Sequence, residues 1–385
     1  MKTDRIFIAL VFLILWFPLA QMVFPLVPSP FLYGVQKTAI LPRLSFSKIM
    51  NHAFQKGVED WFNQNYGGHA IGVKTNRQIY FSLFGDVREN EGIILGRQGQ
   101  LLNDAYIKRT LQFDAPCHFN KVVERLVQIN RLLRARDKTF LLFITPSKST
   151  TYPAEIPAAY GSFPHYQPGA DYENFMAAVR SAGIPYVDAK ALVEKAATGN
   201  AHRLFPQGGI HWDDQAAALA ARALLRGINR VSRKSIGQIQ IDAVRYDRIP
   251  TGHDVDYADL LNLWAPPLNF EGVHVTAHAI RGRDYGRLSL QVEGGSFATQ
   301  VLQLYCKLGF FKSVDSLAYN RYFYPFTATG PQAPRDQWDW KKDILQKDVI
   351  VLEINDPMIG TGDPDVFSNG FLRDLLERLK MSAKS

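Results

Sequence analysis

Short apolar runs alternate with amphipathic stretches along most of the chain. The runs 139–146 and 348–355 are almost entirely apolar, as in strands that are buried on both faces. The stretches 117–138 and 213–230 have apolar residues at helical spacing. This alternation predicts an α/β fold, with a parallel sheet covered by helices on both faces.

The first apolar stretch is of a different kind. Residues 6–27 contain no charged side chain and follow Lys2 and Arg5. About 20 mostly apolar residues can cross a bilayer as a helix, and basic residues before the span favour a cytoplasmic N-terminus. We expect a signal anchor at 1–30, with the body outside the cytoplasm. A cleaved signal peptide is the alternative, although Pro18 fits a cleavage site near Ala20 poorly.

The remaining pattern predicts the organisation of the body. Residues 45–68 have the spacing of one amphipathic helix, and 92–103 have the pattern of a β-hairpin. We expect 31–118 to form a helix and hairpin region packed on an α/β domain at 119–385. Within that domain, 235–285 is less regular and is expected to be an insertion.

Composition narrows the function. The 385 residues carry a net charge of +8 in scattered basic positions, and we find no nucleic-acid motif. Such a surface is either simply solvated or weakly attractive to an acidic polymer. An exported body disfavours ATP or NAD, so no cofactor is expected. Cys117 and Cys306 lack metal-ligand spacing, and their pairing stays open.

Ser296 is the first candidate for chemistry. It follows an apolar run and two glycines, and it precedes a helical pattern. Glycines permit a tight turn and close approach of a substrate, and a serine at a helix N-terminus lies near free backbone N–H groups. The position suits either an N-cap or a nucleophile.

His211 is the second candidate, because it stands between a glycine turn and a predicted helix start. It is either a general base or a histidine that orders the loop. Asp213 or Asp214 suits the N-cap of the following helix. Lys148 follows the strand at 139–146 and either reaches the same sheet edge or lies on the surface. No histidine pair has the spacing of a metal site, so none is expected.

The order of several segments resembles the AlgJ/AlgX-like alginate O-acetyltransferase family, the exported SGNH-hydrolase-like acetyltransferases of exopolysaccharide assembly. The segments that carry the resemblance are "GIILGRQGQLLND", "FITPSKSTTYPAEIP", "GGIHWDDQAA", "YADLLNL", "GGSF" and "VIVLEI". Their order and spacing cover nearly all of 45–356. The resemblance implies an SGNH-hydrolase-like α/β fold and an acyl-transfer activity.

The resemblance also implies roles for matched positions. Ser296 would be the nucleophile, His211 the base, and the N–H groups of Ser296 and Gly295 part of an oxyanion hole. The substrate would be an alginate-like or other exopolysaccharide in the periplasm, and a membrane-bound O-acyltransferase at the inner membrane would donate acetyl groups. Arg321 and Tyr322 either line a sugar groove or pack the sheet edge.

One position departs from the family pattern. The family's aspartate two residues before the histidine is Gly209 here. Loss of the acid that orients a catalytic histidine costs about 10⁴-fold in rate. Asp213, Asp214 or a distant acid replaces it, or a Ser–His dyad acts alone, or catalysis is lost. The functions to separate are therefore an O-acetyltransferase, a non-catalytic binding partner of an acetylation complex, and an acetyl esterase.

Overall fold

The computed structural model describes residues 2–34, 39–87, 92–247, 249–266, 268–326, 333–360 and 369–381. The chain divides into two compact units. Unit 1 comprises Met1–Glu91 and Tyr257–Pro267, and unit 2 comprises Gly92–Asp256 and Leu268–Ser385. This division differs from the expected boundary at residue 118, because the hairpin and helix before that residue pack within unit 2 through side chains such as Leu102 and Ile107.

Unit 1 is helical. Its helices are α1 (Lys2–Val23), α2 (Phe46–Met50), α3 (Ala53–Asn65) and α4 (His69–Phe84). Within α1, Asp4–Val23 is long and apolar enough to cross a membrane, by length and composition. The helix ends before the predicted residue 27, since the Gln21 side chain accepts the backbone N–H groups of Leu26 and Val27, each at 3.0 Å.

The single amphipathic helix expected at 45–68 is wrong. The helix ends at Met50 and a new one starts at Ala53. Between them His52 has a left-handed backbone, with φ 61°. An α-helix cannot continue through that conformation, so the chain changes direction there.

Unit 2 is built on a mixed sheet. Its strand order is β10-β9-β8-β7-β11-β3-β4. The strands from β8 to β4 are mutually parallel, whereas β9 and β10 add antiparallel pairs at one edge. The sheet strands are β3 (Thr139–Thr145), β4 (Tyr186–Asp188), β7 (Ser289–Gly294), β8 (Ser313–Ala318), β9 (Tyr322–Pro325), β10 (Ala333–Pro334) and β11 (Val349–Asn355).

Helices cover both faces of the sheet, as predicted. On β3, Leu141 and Phe143 enter the core under α9, α10 and α12, while Phe140, Leu142 and Ile144 enter the core under α6, α8 and α13. This two-sided burial explains why the strand is apolar throughout. The helices of unit 2 are α5 (Asp104–Thr110), α6 (Asn120–Arg134), α7 (Lys148–Thr151), α8 (Ala170–Ser181), α9 (Ala189–Thr198), α10 (Asp214–Ser232), α12 (Ala298–Leu308) and α13 (Asn369–Met381), with a π-helical turn at Trp340–Leu345. Helix α11 (Asp256–Leu260) begins at the last residue of the first part of unit 2.

Two hairpins complete unit 2. The predicted hairpin is present as β1 (Ile93–Leu95) and β2 (Leu101–Asn103). The segment 235–285, expected to be irregular, instead contains the long antiparallel pair β5 (Gly237–Asp247) and β6 (Gly272–Arg281). Its alternating apolar positions, such as Val273, Val275 and Ala277, carry the signal of a strand with one buried face.

The two cysteines are free thiols. Cys117 donates its Sγ hydrogen to the carbonyl of Gly360 at 3.0 Å, and Cys306 lies in α12. The open question of their pairing is therefore settled against a disulfide in this structure.

Candidate active site

Ser296 lies in the turn between β7 and α12, and its hydroxyl faces a histidine. Its Oγ lies 2.6 Å from Nε2 of His211. Helix α12 begins at Ala298, and its N-cap residue is Phe297, which makes no side-chain cap hydrogen bond. Ser296 therefore does not cap the helix, and its hydroxyl is placed for proton transfer to the imidazole.

A buried glutamate on the neighbouring strand shapes the turn before Ser296. Glu353 of β11 accepts the N–H of Gly295 at 2.6 Å and the hydroxyl of Thr145. A Cβ at Gly294 would lie 2.5 Å from Glu353 Oε2, so only glycine lets the two strands approach this closely. Burial raises the pKa of Glu353, while its two hydrogen bonds oppose that change.

A buried lysine shapes the turn before His211. Lys148 is 2% exposed, and its Nζ lies at 2.5–3.1 Å from the carbonyl oxygens of Leu101, Pro206, Gln207 and Gly209. Burial lowers the pKa of Lys148 well below its usual value. The expectation that Lys148 contacts substrate is wrong in this structure, because its ammonium group is enclosed by backbone carbonyls and fixes the loop instead.

The acid that faces His211 is Asp256. Its Oδ2 is hydrogen-bonded to His211 Nδ1, and its Oδ1 accepts the backbone N–H of Ile210 at 2.9 Å. The two bonds hold the carboxylate against the imidazole edge and against the histidine loop at once. With Ser296 on the other ring nitrogen, the three side chains form the hydrogen-bonded order of a catalytic triad.

The structure corrects the expectation that Asp213 or Asp214 orients the histidine. Asp213 is the N-cap residue of α10, and its Oδ1 accepts the N–H of Ala216 at 2.8 Å. Asp214 accepts a hydrogen bond from the Gln300 side chain at 3.3 Å. Both carboxylates point along the helix start rather than at the imidazole, since capping geometry fixes them there.

The glycine at position 209 has a steric cause. A Cβ on Gly209 would lie 2.2 Å from the carbonyl oxygen of His253. Real Cβ atoms do not approach so closely, so a side chain at 209 is incompatible with the segment that leads to Asp256. The missing aspartate and the presence of Asp256 are therefore two parts of one arrangement.

The backbone donors near Ser296 are only partly those expected. The N–H of Ser296 donates to the hydroxyl of Tyr319 at 3.2 Å, at the open side of the turn. The N–H of Gly295 donates to the buried Glu353, on the inner side. The expectation that Gly295 contributes its N–H to an oxyanion hole is therefore wrong, because Glu353 already occupies that donor.

Arg321 and Tyr322 lie in the turn between β8 and β9 and at the start of β9. Both side chains are exposed, and the ring of Tyr322 lies 6.4 Å from that of Tyr324. The same turn carries Tyr319, which contacts the Ser296 N–H. The structure thus places these two residues on the surface of the turn beside the serine, without a contact to the serine or the histidine.

A second histidine completes a group with metal-ligand chemistry. The ring of His253 lies 5.1 Å from that of His211, and burial lowers the pKa of His253. Ligand atoms of His211, His253 and Asp256 lie within 4.8 Å of one another. Both ring nitrogens of His211 already have partners, Ser296 and Asp256, so the donor set is arranged for proton transfer.

Sequence reasoning did not identify three residues of this region: Asp256, Glu353 and Tyr319. Asp256 immediately precedes "YADLLNL", one of the segments that carry the family resemblance, and that proximity was the available signal. Glu353 is a charged residue inside an apolar strand, which is itself unusual. Tyr319 has no sequence signal, since only the pairing of β7 with β8 brings it to Ser296.

Three solved structures share the general fold. The O-acetyltransferase domain of Pseudomonas putida AlgJ has 19% identity and a TM-score of 0.44, over 74% of this chain and 99% of that one. Pseudomonas aeruginosa AlgX has 14% identity and a TM-score of 0.46, over 75% and 67%. Bacillus cereus PatB1 has 12% identity and a TM-score of 0.41, over 71% and 99%. No functional conclusion follows from likenesses at these values.

Comparison with curated proteins gave no match. A family model does match: the SGNH hydrolase-like domain of the acetyltransferase AlgX, over residues 93–278. The match contains His211 and Asp256 and ends before Ser296. The chain therefore belongs to the AlgX-like family of SGNH-hydrolase-like acetyltransferase domains.

Proposed function

We propose that the protein is an O-acetyltransferase that moves acetyl groups onto hydroxyls of an extracytoplasmic polysaccharide through an acetyl-Ser296 intermediate. The observation that carries the proposal is the hydrogen-bonded chain from Ser296 through His211 to Asp256. A serine needs an adjacent base to become nucleophilic at neutral pH, and the base needs a fixed tautomer. Membership in the AlgX-like family supports acetyl transfer as the reaction.

In the first half-reaction Ser296 Oγ attacks the carbonyl carbon of a donor acetyl ester. His211 Nε2 takes the hydroxyl proton as the new C–O bond forms. The carboxylate of Asp256 holds the Nδ1 proton and stabilises the imidazolium. When the bond to the donor oxygen breaks, His211 returns the proton to that oxygen, leaving acetyl-Ser296.

In the second half-reaction a polysaccharide hydroxyl is the nucleophile. His211 Nε2 removes its proton as the oxygen attacks the acetyl carbon. The bond to Ser296 Oγ then breaks, and the proton passes from the imidazole to the serine. The products are an O-acetylated sugar and the free enzyme.

Each half-reaction passes through an oxyanion. The Ser296 N–H points at the Tyr319 hydroxyl on the open side of the turn. That N–H and the phenol O–H are two donors within reach of a negative oxygen at this place. Removing one such donor typically costs about 10²–10³-fold in kcat.

The helix α1 supports a membrane-bound location. We propose that it anchors the protein in the inner membrane and that the body lies in the periplasm, with no cleavage of the segment. A membrane-bound O-acyltransferase would then supply acetyl groups, as the family resemblance implies. An acetyl esterase would use the same residues with water as the acceptor, and product analysis separates the two.

Intact-protein mass spectrometry tests the proposal. Full-length protein in detergent is incubated with 4-nitrophenyl acetate, with and without an oligosaccharide acceptor. We expect one added acetyl group, located on Ser296 by peptide mapping. Added oligosaccharide removes the label, and the acetyl group appears on the sugar.

Ser296→Ala is expected to abolish the label, while Ser162→Ala, which alters an exposed serine, keeps it. Label that persists in Ser296→Ala would overturn the acyl-serine intermediate. Release of acetate alone, at a rate that oligosaccharides do not change, would identify an esterase instead.

A further inference from the structure

A cavity of about 380 Å³ lies within unit 2, beside the loop that leads to His211. It is bounded by the tip of the β1–β2 hairpin, by the segment 201–207, and by the base of the β5–β6 hairpin. Phe205 lines it, and the Phe205 ring lies 6.4 Å from that of Phe297. Phe297 in turn lies 4.9 Å from the imidazole of His211, so two phenyl rings connect the cavity wall to the active site.

Two buried oxygens that line the cavity have no hydrogen-bond partner among the described residues. They are Oδ2 of Asp213, which is 1% exposed, and Oε1 of Gln100, which is 4% exposed. The other oxygen of Asp213 caps α10. A buried acceptor without a donor costs about 1–3 kcal/mol, so these two atoms favour a ligand that brings donors into the cavity.

The cavity also has an aromatic wall. The rings of His202 and Tyr246 are stacked, with centroids 3.6 Å apart and planes 19° apart. The Tyr246 hydroxyl is fixed by a hydrogen bond to Gln215 at 3.2 Å. Amide side chains of Gln98, Gln207 and Asn269 line the remaining sides.

This combination matches the chemistry of a sugar ring. A pyranose has apolar C–H faces for an aromatic wall and hydroxyls that both donate and accept. Ligand pockets are about 300–1,000 Å³, so this cavity has room for a ligand at the small end of that range. The amides and the two unpartnered oxygens supply the polar groups that fix orientation.

The charges favour an uncharged sugar. Asp213 and Glu271 line the cavity, and the guanidinium of Arg203 is paired with Glu155. A uronate carboxylate would therefore meet two acids without an unpaired arginine to balance them. Neutral hexose residues meet no such repulsion.

We infer that this cavity is an acceptor subsite that binds one neutral hexopyranose residue of the polysaccharide while a neighbouring residue reaches Ser296. The inference rests on the proposed acetyl transfer, since it identifies the class of acceptor. It places Tyr246 and Gln100 in the role of binding residues, outside the triad.

Calorimetric titration tests the subsite. Full-length Ser296→Ala protein in detergent is titrated with a neutral cello-tetraose and with a tetra-uronate of the same length, because this variant binds without turnover. We expect the neutral tetrasaccharide to bind at least tenfold more tightly than the uronate. Adding Tyr246→Ala or Gln100→Leu weakens its binding at least tenfold.

Two control variants separate loss of the ligand contact from loss of folding. Tyr246→Phe keeps the ring and should hold the affinity within about threefold. Tyr166→Ala removes an aromatic side chain that is 51% exposed elsewhere on unit 2 and should leave binding unchanged. Thermal unfolding of each variant reports any loss of fold.

The outcomes decide between subsite and function. Equal affinity in Tyr246→Ala and its parent, tighter binding of the uronate, or no binding of either sugar would overturn the subsite. Acetyl labelling of wild-type Ser296 is measured in parallel. Binding without labelling sinks the acyl-serine mechanism and keeps the subsite, while labelling without binding does the reverse.

Discussion

Two turns deliver the active site, and each is held by a buried charge of opposite sign. The turn at Gly294–Ser296 is fixed by Glu353, which accepts a backbone N–H. The turn at 206–211 is fixed by Lys148, which donates to backbone carbonyls. Loops expose donors at some points and acceptors at others, and a single buried ion can satisfy either kind. Placing a nucleophile and a base at 2.6 Å therefore depends on residues that never touch substrate.

The turns differ in where their remaining support comes from. The serine turn is complete within β7, β11 and the following helix. The histidine turn needs a third segment, because Asp256 holds both the imidazole and the N–H of Ile210. We expect the histidine side of the site to be the more sensitive to substitution.

The largest expected effect comes from Asp256→Asn. An amide at this place favours the wrong imidazole tautomer, so kcat/KM for acetyl transfer should fall on the order of 10³–10⁴-fold with little change in fold. Steady-state kinetics with a 4-nitrophenyl ester measure it. Asp242→Asn is the matched control, since Asp242 faces His278 Nδ1 at 2.9 Å on the exposed hairpin. A loss below tenfold at Asp256 would mean that a Ser–His dyad suffices.

An intermediate effect is expected when the two anchoring charges are removed. Lys148→Met leaves four carbonyl oxygens near an apolar side chain and should lower the free energy of unfolding by about 3 kcal/mol or more. Glu353→Gln keeps an acceptor oxygen and resembles the neutral form that burial favours, so about 1 kcal/mol is expected.

Urea unfolding followed by circular dichroism measures both variants. Lys195→Met, at an exposed site on α9, should stay within about 0.5 kcal/mol of wild type. A larger loss for Glu353→Gln than for Lys148→Met would reverse the proposed order of the two turns.

The smallest effect concerns the helix start behind the histidine turn. Burial raises the pKa of Asp213 to about 7, from a usual value of 3.8. The folded state then holds a proton that the unfolded chain releases, so this group's contribution to stability falls as the pH rises from about 4 to 7. Asparagine also caps helices but does not titrate.

Asp213→Asn should therefore gain about 2 kcal/mol of stability relative to wild type between pH 5 and pH 7.5. Urea unfolding at both pH values checks this difference. Asp188→Asn, at the N-cap of α9, is the control and should show a smaller change, because Asp188 is less buried than Asp213. A difference between variant and wild type that does not change with pH would contradict the prediction.

The sequence predicted the α/β alternation, the apolar first helix, and the pairing of Ser296 with His211. These follow from local patterns: two-sided apolar strands, glycines before a serine, and a histidine before a helix. The position of Asp256 could not be predicted in the same way, because it lies 45 positions from His211 and reaches it only through the fold. Lys148 was misjudged for a related reason, since an isolated lysine in a loop gives no sign of burial. The β5–β6 hairpin was a different error, because its alternating pattern was present and was not used.

The contact between position 209 and the carbonyl of His253 bears on how such a site can change by mutation. An aspartate at 209 and the present course of the segment before Asp256 exclude each other in space. Moving the triad acid from one position to the other therefore cannot proceed through a chain that has both. The intermediate has only one of them or neither, so the two positions are epistatic, and a single Gly209→Asp substitution in this protein is a dead end rather than a restoration.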